Sequence, residues 1–462
     1  MKIKGYIPFY KRNLHLAFPV VLSQVGQVTV SLADNIMVGH VGTTELAASS
    51  FANSIFLVGM LFGLGITIGI TPLVGNAFGN NNLKKVVIYL KNGLFIHFLA
   101  AVCLTSLMFL VYFLLPLMGQ TSEVIKLAKP YYLLLCASYL PLIIFFAIRQ
   151  FFEGIGNTRI AMIITLAANV VNVVVNYIFI YGKFGFPALG LNGAGVGTLI
   201  ARIFMPLLFA VFVIKNVRFK RYFFVASVQK ISQAKIISIL KIGIPIGFQI
   251  VIEMLAFSVG AIMMGWLGET PLAAHQVAIG LASLTYMISL GISQANTIRV
   301  SHQMGKRDFN SLKMAAYAST QMVLVFMSIM GIVFILSRRL LPYLFTPDPE
   351  VIQIAAGLLI IAAIFQIFDG LQVVMLSSLR GMADVRIPMF ISFFSYLILG
   401  VPASYVFAFL LGFGPSGIWC GYLLGLGTAG ILFYFRFRCN LKKMHKKTGY
   451  HLFDNPTVHN LV

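Results

Sequence analysis

The amino-acid sequence predicts an all-α polytopic membrane protein, with twelve transmembrane helices arranged as two six-helix lobes. Three observations carry that expectation. Of the 462 residues, 59% are hydrophobic and only 10% charged, with mean hydropathy +0.92, whereas soluble domains run near a quarter charged. A water-soluble core and a disordered chain are both excluded. Apolar segments of the roughly 20 residues that a bilayer-spanning helix needs recur twelve times, near 14–39, 47–74, 88–117, 130–151, 160–182, 189–214, 240–266, 274–298, 314–337, 353–378, 387–411 and 416–436. These are spans 1 to 12. The third observation is that the second half of the chain rewrites the first.

Shifted by 226 residues, the segment 19–79 lies without gaps on 245–305. Pro19 meets Pro245, Gly39 meets Gly265, Gly42 meets Gly268, Gly65 meets Gly291 and Gly79 meets Gly305. At a shift of 227, the loop EGIGNTRI from Glu153 meets RGMADVRI from Arg380. Six spans per half give both halves the same orientation, so they are parallel repeats about an axis along the membrane normal. Such halves enclose a central site that is exposed to alternate sides. The expected division is an N-terminus at 1–13, an N-lobe at 14–214, a linker at 215–239, a C-lobe at 240–436 and a basic tail at 437–462.

The formal net charge of +22 would suggest nucleic acid in a soluble protein, but here location decides. Most of the 34 Lys and Arg fall in the N-terminus, the even-to-odd loops and the tail. Lys126, Lys129, Lys183, Arg338 and Arg339 lie on the opposite side, and Arg202 falls within a span. That bias places both termini in the cytoplasm of a multi-pass protein of the cytoplasmic membrane. The basic clusters at 215–241 and 436–447 suit a lipid surface, not nucleic acid. The first 13 residues are short and basic and run straight into a full-length span, so no cleavable signal peptide is expected. Cys103, Cys136, Cys420 and Cys439 show no metal-ligand spacing and no disulfide framework.

Taken in order, the spans carry few polar groups. Span 1 has Asp34 after Gln24 and Gln27; span 2 is a Gly- and Ala-rich packing helix. His97 in span 3 reads as a satisfied interior histidine. In span 5, Asn169, Asn172 and Asn176 recur at three- and four-residue spacing and share one face. Such a stripe in hydrocarbon must face protein, water or an ion. Span 6 opens with GLNGAGVGT, which fits neither dinucleotide nor P-loop spacing, and offers the Thr198 hydroxyl. Span 7 places Gln249 and Glu253 four apart on one face, span 8 brings His275, Gln276 and Tyr286, and span 10 brings Gln366, Asp369 and Gln372. Asp34, Glu253 and Asp369 are the carboxylates expected inside spans, and Arg202 the lone mid-span basic residue. Ionisable groups at bilayer depth mark function by default. The repeat maps the three acids onto Gly260, Gln27 and Leu142, so the scaffold is duplicated and the charges are not.

The duplicated MVGHVGTTELAA and MMGWLGETPLAAH segments, the EGIGNTR and RGMADVR loops, NVVNVVVNYIFIYG, and Glu253 with Asp369 together resemble the multidrug and toxic compound extrusion (MATE) transporters, in their NorM-like branch, over about residues 8–440. The resemblance implies a V-shaped pair of six-helix bundles that exports organic cations and amphipathic drugs against an inward flow of Na⁺ or H⁺. No resident cofactor is expected, and a monomer is. It implies a C-lobe cation and drug site at Glu253 and Asp369, to which Gln249 and Tyr286 are added by position. It implies an N-lobe site at Asp34, Asn172, Asn176 and Thr198, with Na⁺ as its candidate metal. One departure is plain: where such C-lobe sites can carry a tyrosine a turn before the span 10 aspartate, this chain has Phe365.

Two rival readings follow from other residues. A flippase of lipid-linked oligosaccharide would need basic groups in its cavity to hold a pyrophosphate. A membrane enzyme would need a nucleophile–base or metal constellation, and neither HExxH nor GxSxG occurs.

Overall fold

The structure, a computed structural model, describes residues 3–447. Its twelve spans are Ile7–Gly39, Thr43–Gly79, Leu83–Tyr112, Ser122–Gly154, Arg159–Tyr181, Leu191–Lys215, Gln233–Leu267, Glu269–Lys306, Phe309–Leu336, Pro349–Gly381, Arg386–Leu410 and Gly414–Lys446. Among the described residues there is no strand. The repeat extends to the helix caps, where a side-chain oxygen satisfies a backbone N–H that has no partner in the helix. The Asn82 side chain accepts from the Lys85 backbone N at 3.0 Å, and its counterpart Asp308 accepts from Ser311 at 2.9 Å. Thr121 and Asp348, likewise paired by the repeat, cap spans 4 and 10.

Each half builds its own apolar core. The halves meet through glycines, and the contacts are reciprocal. A Cβ on Gly65 of span 2 would fall on the backbone of Gly247 in span 7, and one on Gly291 of span 8 would fall on Val21 of span 1. A Cβ on Gly79 would fall on the His302 carbonyl, and one on Gly305 on the Asn76 carbonyl. Moving Gly291 back by 226 and its partner Val21 forward by 226 yields the Gly65–Gly247 contact, and the same exchange turns Gly305–Asn76 into Gly79–His302. Contacts that map onto each other in this way are what a twofold pairing produces. The parallel repeat is thus a structural fact, and the lobes touch backbone to backbone at the end that carries the basic loops.

Some boundaries differ from the sequence reading. The first turns of span 1 pack on the second half: Asn13 Nδ2 donates to Ser319 Oγ at 2.7 Å, Arg299 Nη1 donates to Asn13 Oδ1 at 2.8 Å, and Ala17 joins the C-lobe core. Span 1 therefore bridges the lobes, because its outer half pairs with span 5. The linker contains a helix, Val217–Ser227. That helix packs on span 4, with Phe219 and Phe152 rings 5.1 Å apart, and so belongs with the N-lobe. Span 7 begins at Gln233, several residues before 240. Span 12 continues as one helix to Lys447, so the first part of the basic tail is helical; residues 448–462 lie outside the described residues. Span 11 is under-wound into π-helix at Phe393–Gly400 and Val406–Leu410, a local widening that often accompanies functional sites.

Candidate functional site

A cavity of about 630 Å³ lies between the lobes, walled by spans 1, 2, 4, 7, 8 and 10. Most of its wall is apolar, with Leu, Ile, Met and Phe side chains able to repack around varied ligands. Its charged lining comprises Glu153, Glu253, Asp369 and Arg380. Asp369 is buried, while Glu253 and Tyr286 are half-buried beside it on the C-lobe wall. The structure therefore brings Glu253, Asp369 and Tyr286 together on one wall of the cavity.

Gln249 is corrected. It does not line the cavity: its Nε2 donates to Ser392 Oγ at 2.9 Å, and its Oε1 accepts from Arg380 Nη2 at 3.0 Å. It acts as a bracket behind the site, holding a guanidinium in place. Arg380 is itself the residue the sequence reading missed. At the last turn of span 10 it read as the start of a scaffold loop, yet it lines the cavity within electrostatic reach of Glu253. Phe365 is buried, its ring edge-on to Trp419 at 5.3 Å and to Phe257 at 6.3 Å. The position offers packing and no oxygen. Phenols come instead from Tyr286 and from Tyr396, which is buried beside Gln372 and lines a small adjoining cavity with Glu253. Tyr396 sits on the π-helical turn of span 11, whose winding places it on a face that regular periodicity would not.

The count of acids and bases within spans also changes. Glu153 read as a helix-end residue, but it is 2% exposed and lines the cavity. Its carboxylate pairs with Arg149 at 2.7 Å, and Arg149 reaches across to Gln294 of span 8 at 3.4 Å. Arg149 and Arg299 are buried in their helices, and Arg380 is half-buried at its helix end. Arg202 is thus not the lone basic residue within the spans. Burial of an arginine is tolerated where partners satisfy it, and each of these four has at least one hydrogen bond.

In the N-lobe, Asn176 Nδ2 donates to Asp34 Oδ1 at 2.6 Å and to Asn172 Oδ1 at 3.3 Å. Asp34, Asn172 and Asn176 therefore form one cluster. The approach is possible because residue 197 is glycine: a Cβ there would strike Asn176 Oδ1. That amide oxygen is buried with no hydrogen bond among the described residues, a free acceptor that suits a cation. Thr198, the residue after Gly197, is half-buried, with no side-chain bond to the cluster. Asn169 is not drawn in. Arg202 belongs here: its Nη1 donates to Ser138 Oγ at 2.6 Å, its guanidinium stands 4.8 Å over the Phe56 ring, and it lies within electrostatic reach of Asp34. At the equivalent position of the C-lobe, Gly260 packs directly against the Tyr422 hydroxyl. His97 is an interior histidine, its ring nitrogens 2.7 and 3.2 Å from the Gly93 and Ile66 carbonyls.

Comparison with known proteins identifies the family and the fold. The MatE family model matches residues 19–178 and 245–406, once in each half. The chain is 32% identical over 448 residues to a probable multidrug resistance protein NorM of Agrobacterium fabrum, covering 96% of each chain. It is 31% identical over 450 residues to the multidrug resistance protein MdtK of Yersinia pseudotuberculosis, covering 94% of this chain and 96% of that one. Its fold superposes on an aspartate-to-asparagine variant of the Vibrio cholerae MATE transporter VcmN with a TM-score of 0.85, at 20% identity and with 95% and 98% of the two chains covered.

Proposed function

The chain belongs to the MatE family of multi-pass membrane transporters, and from that premise we propose that it exports cationic and amphipathic drugs by antiport against Na⁺ or H⁺. The observation that supports this most is the acidic character of an otherwise apolar cavity that both lobes line. Glu253 and Asp369 sit on its C-lobe wall, and Glu153 is the third carboxylate. Carboxylates in a low-dielectric wall bind cations strongly because water does not screen them. The apolar remainder accepts rings and chains of varied shape.

Antiport follows from competition and population shift. Two nearby carboxylates resist being ionised together, and one proton, metal ion or organic cation relieves the repulsion. A ligand shifts the balance between lobe arrangements only by its difference in affinity for them. Coupling requires the ion to favour the arrangement that releases drug outward. The N-lobe cluster supplies a carboxylate, amide oxygens and the nearby Thr198 hydroxyl, a donor set that suits Na⁺ or a proton. The basic loops favour a cytoplasmic location for the end where the lobes touch. The same charge pattern favours a cavity for cations over one for a pyrophosphate-bearing lipid, since three carboxylates face it against one guanidinium.

The test is uptake of ethidium by everted membrane vesicles, with Na⁺ and pH gradients imposed one at a time. Uptake driven by at least one gradient, and abolished when that gradient is collapsed, is expected. Uptake indifferent to both gradients would overturn the antiport reading.

A further inference from the structure

We propose that Arg380 is the resident counter-ion of the C-lobe acids and limits the central cavity to one added positive charge at a time. The inference rests on the functional reading above and specifies its substrate class: monocations over dications. It begins with the four charged side chains that line the cavity. Glu153 is already neutralised by Arg149 at 2.7 Å. The rest of the lining is apolar or uncharged, with carboxamides, hydroxyls and His275 as its polar groups. With the coupling ion or proton displaced, three formal charges remain, negative on Glu253 and Asp369 and positive on Arg380, for a net charge of minus one. A single monocation brings that wall to neutrality. A dication would leave an uncompensated positive charge in a low-dielectric site, which is costly unless paired.

Arg380 is built to stay. Ser392, Gln249 and the guanidinium form a hydrogen-bonded chain, with steps of 2.9 and 3.0 Å, that fixes one edge of Arg380. Gln249 is four residues before Glu253 on the same helix, so this bracket holds the guanidinium within reach of the Glu253 carboxylate. Arg380 Nε is buried with no hydrogen bond among the described residues. No ion pair within 4.0 Å joins Arg380 to Glu253 or Asp369. The guanidinium therefore lowers the field at Glu253 without closing an ion pair on either acid, which leaves both carboxylates open to a ligand's cation. Arginine, always charged at physiological pH, suits a fixed counter-charge of this kind.

Ethidium and propidium share one ring system and carry one and two positive charges, so their ratio isolates charge. In everted vesicles, the wild-type chain is expected to take up ethidium and to discriminate against propidium. Arg380→Gln should raise the propidium-to-ethidium ratio of initial rates at least about tenfold, equivalent to about 1.4 kcal/mol. Arg380→Lys, which keeps the charge, should stay within about threefold of the wild-type ratio. If Arg380→Gln moves neither dye, the same ratio is read as equilibrium binding of the two dyes to the purified variant. An unchanged ratio in Arg380→Gln, or an equal rise in Arg380→Lys, would overturn the proposal. Failure of the wild type to move ethidium in any gradient would overturn the antiport reading beneath it instead.

Discussion

Replacing Asp369 by asparagine is expected to cut ethidium efflux at least about a hundredfold while the protein still reaches the membrane in normal amounts. The side chain keeps its shape and loses its charge. Asp369 is buried in the cavity wall, and an opposite charge about 4 Å away is worth about 4 kcal/mol at the effective dielectric of protein sites. A tenfold change corresponds to about 1.36 kcal/mol, so a loss of two orders of magnitude needs only part of that interaction. Glu253→Gln should act in the same direction, because the two acids share one wall and Arg380 offsets only one of them. Dye efflux and membrane abundance, measured together, check this. Normal efflux in both variants would remove the C-lobe acids from transport.

Asp34→Asn should have a different signature, with the dependence on the driving ion lost. The 2.6 Å bond from Asn176 is charge-assisted, a class worth about 1.5–3 kcal/mol. An amide in place of Asp34 leaves the Asn176–Asn172 stripe without an anion to organise it. Arg202, held on Ser138 over the Phe56 ring, then has no carboxylate near it to balance its charge. Because span 1 pairs with span 5 at Asp34 and is anchored to the C-lobe through Asn13 and Arg299, a change at Asp34 is felt along a helix that touches both lobes. Residual dye movement in the variant should no longer respond to an imposed Na⁺ or pH gradient. An unchanged response would take Asp34 out of coupling.

The glycine register made the architecture legible before any coordinates. Of the glycines that coincide at that fixed offset, Gly65, Gly291, Gly79 and Gly305 lie at the crossings between lobes, where they bring backbones together. The asparagine stripe and the three acids were legible for a second reason, since polar groups in long apolar runs stand out. What was hidden lies at helix ends and in irregular winding. Glu153 and Arg380 occupy equivalent places in the repeat, each where a span gives way to a loop, and a one-dimensional reading treats such residues as solvated. The tilt and packing of spans 4 and 10 turn both into the cavity. Tyr396 was hidden by the π-helical turn that sets its direction. Gln249 was misassigned because sharing a face with Glu253 does not distinguish a residue that points at the ligand from one that braces a neighbour. The bridging role of span 1 was equally illegible, since it depends on long-range contacts of Asn13 with Ser319 and Arg299.

The central claim is that drug and coupling ion share the cavity carboxylates. Calorimetry of tetraphenylphosphonium binding to the purified protein tests it directly, run in two buffers of different ionisation enthalpy and with and without Na⁺. Competition for the acids requires either that binding releases a proton, seen as a buffer-dependent heat, or that Na⁺ weakens binding in proportion to its own occupancy. Binding of equal heat in both buffers and equal affinity with and without Na⁺ would contradict a shared site.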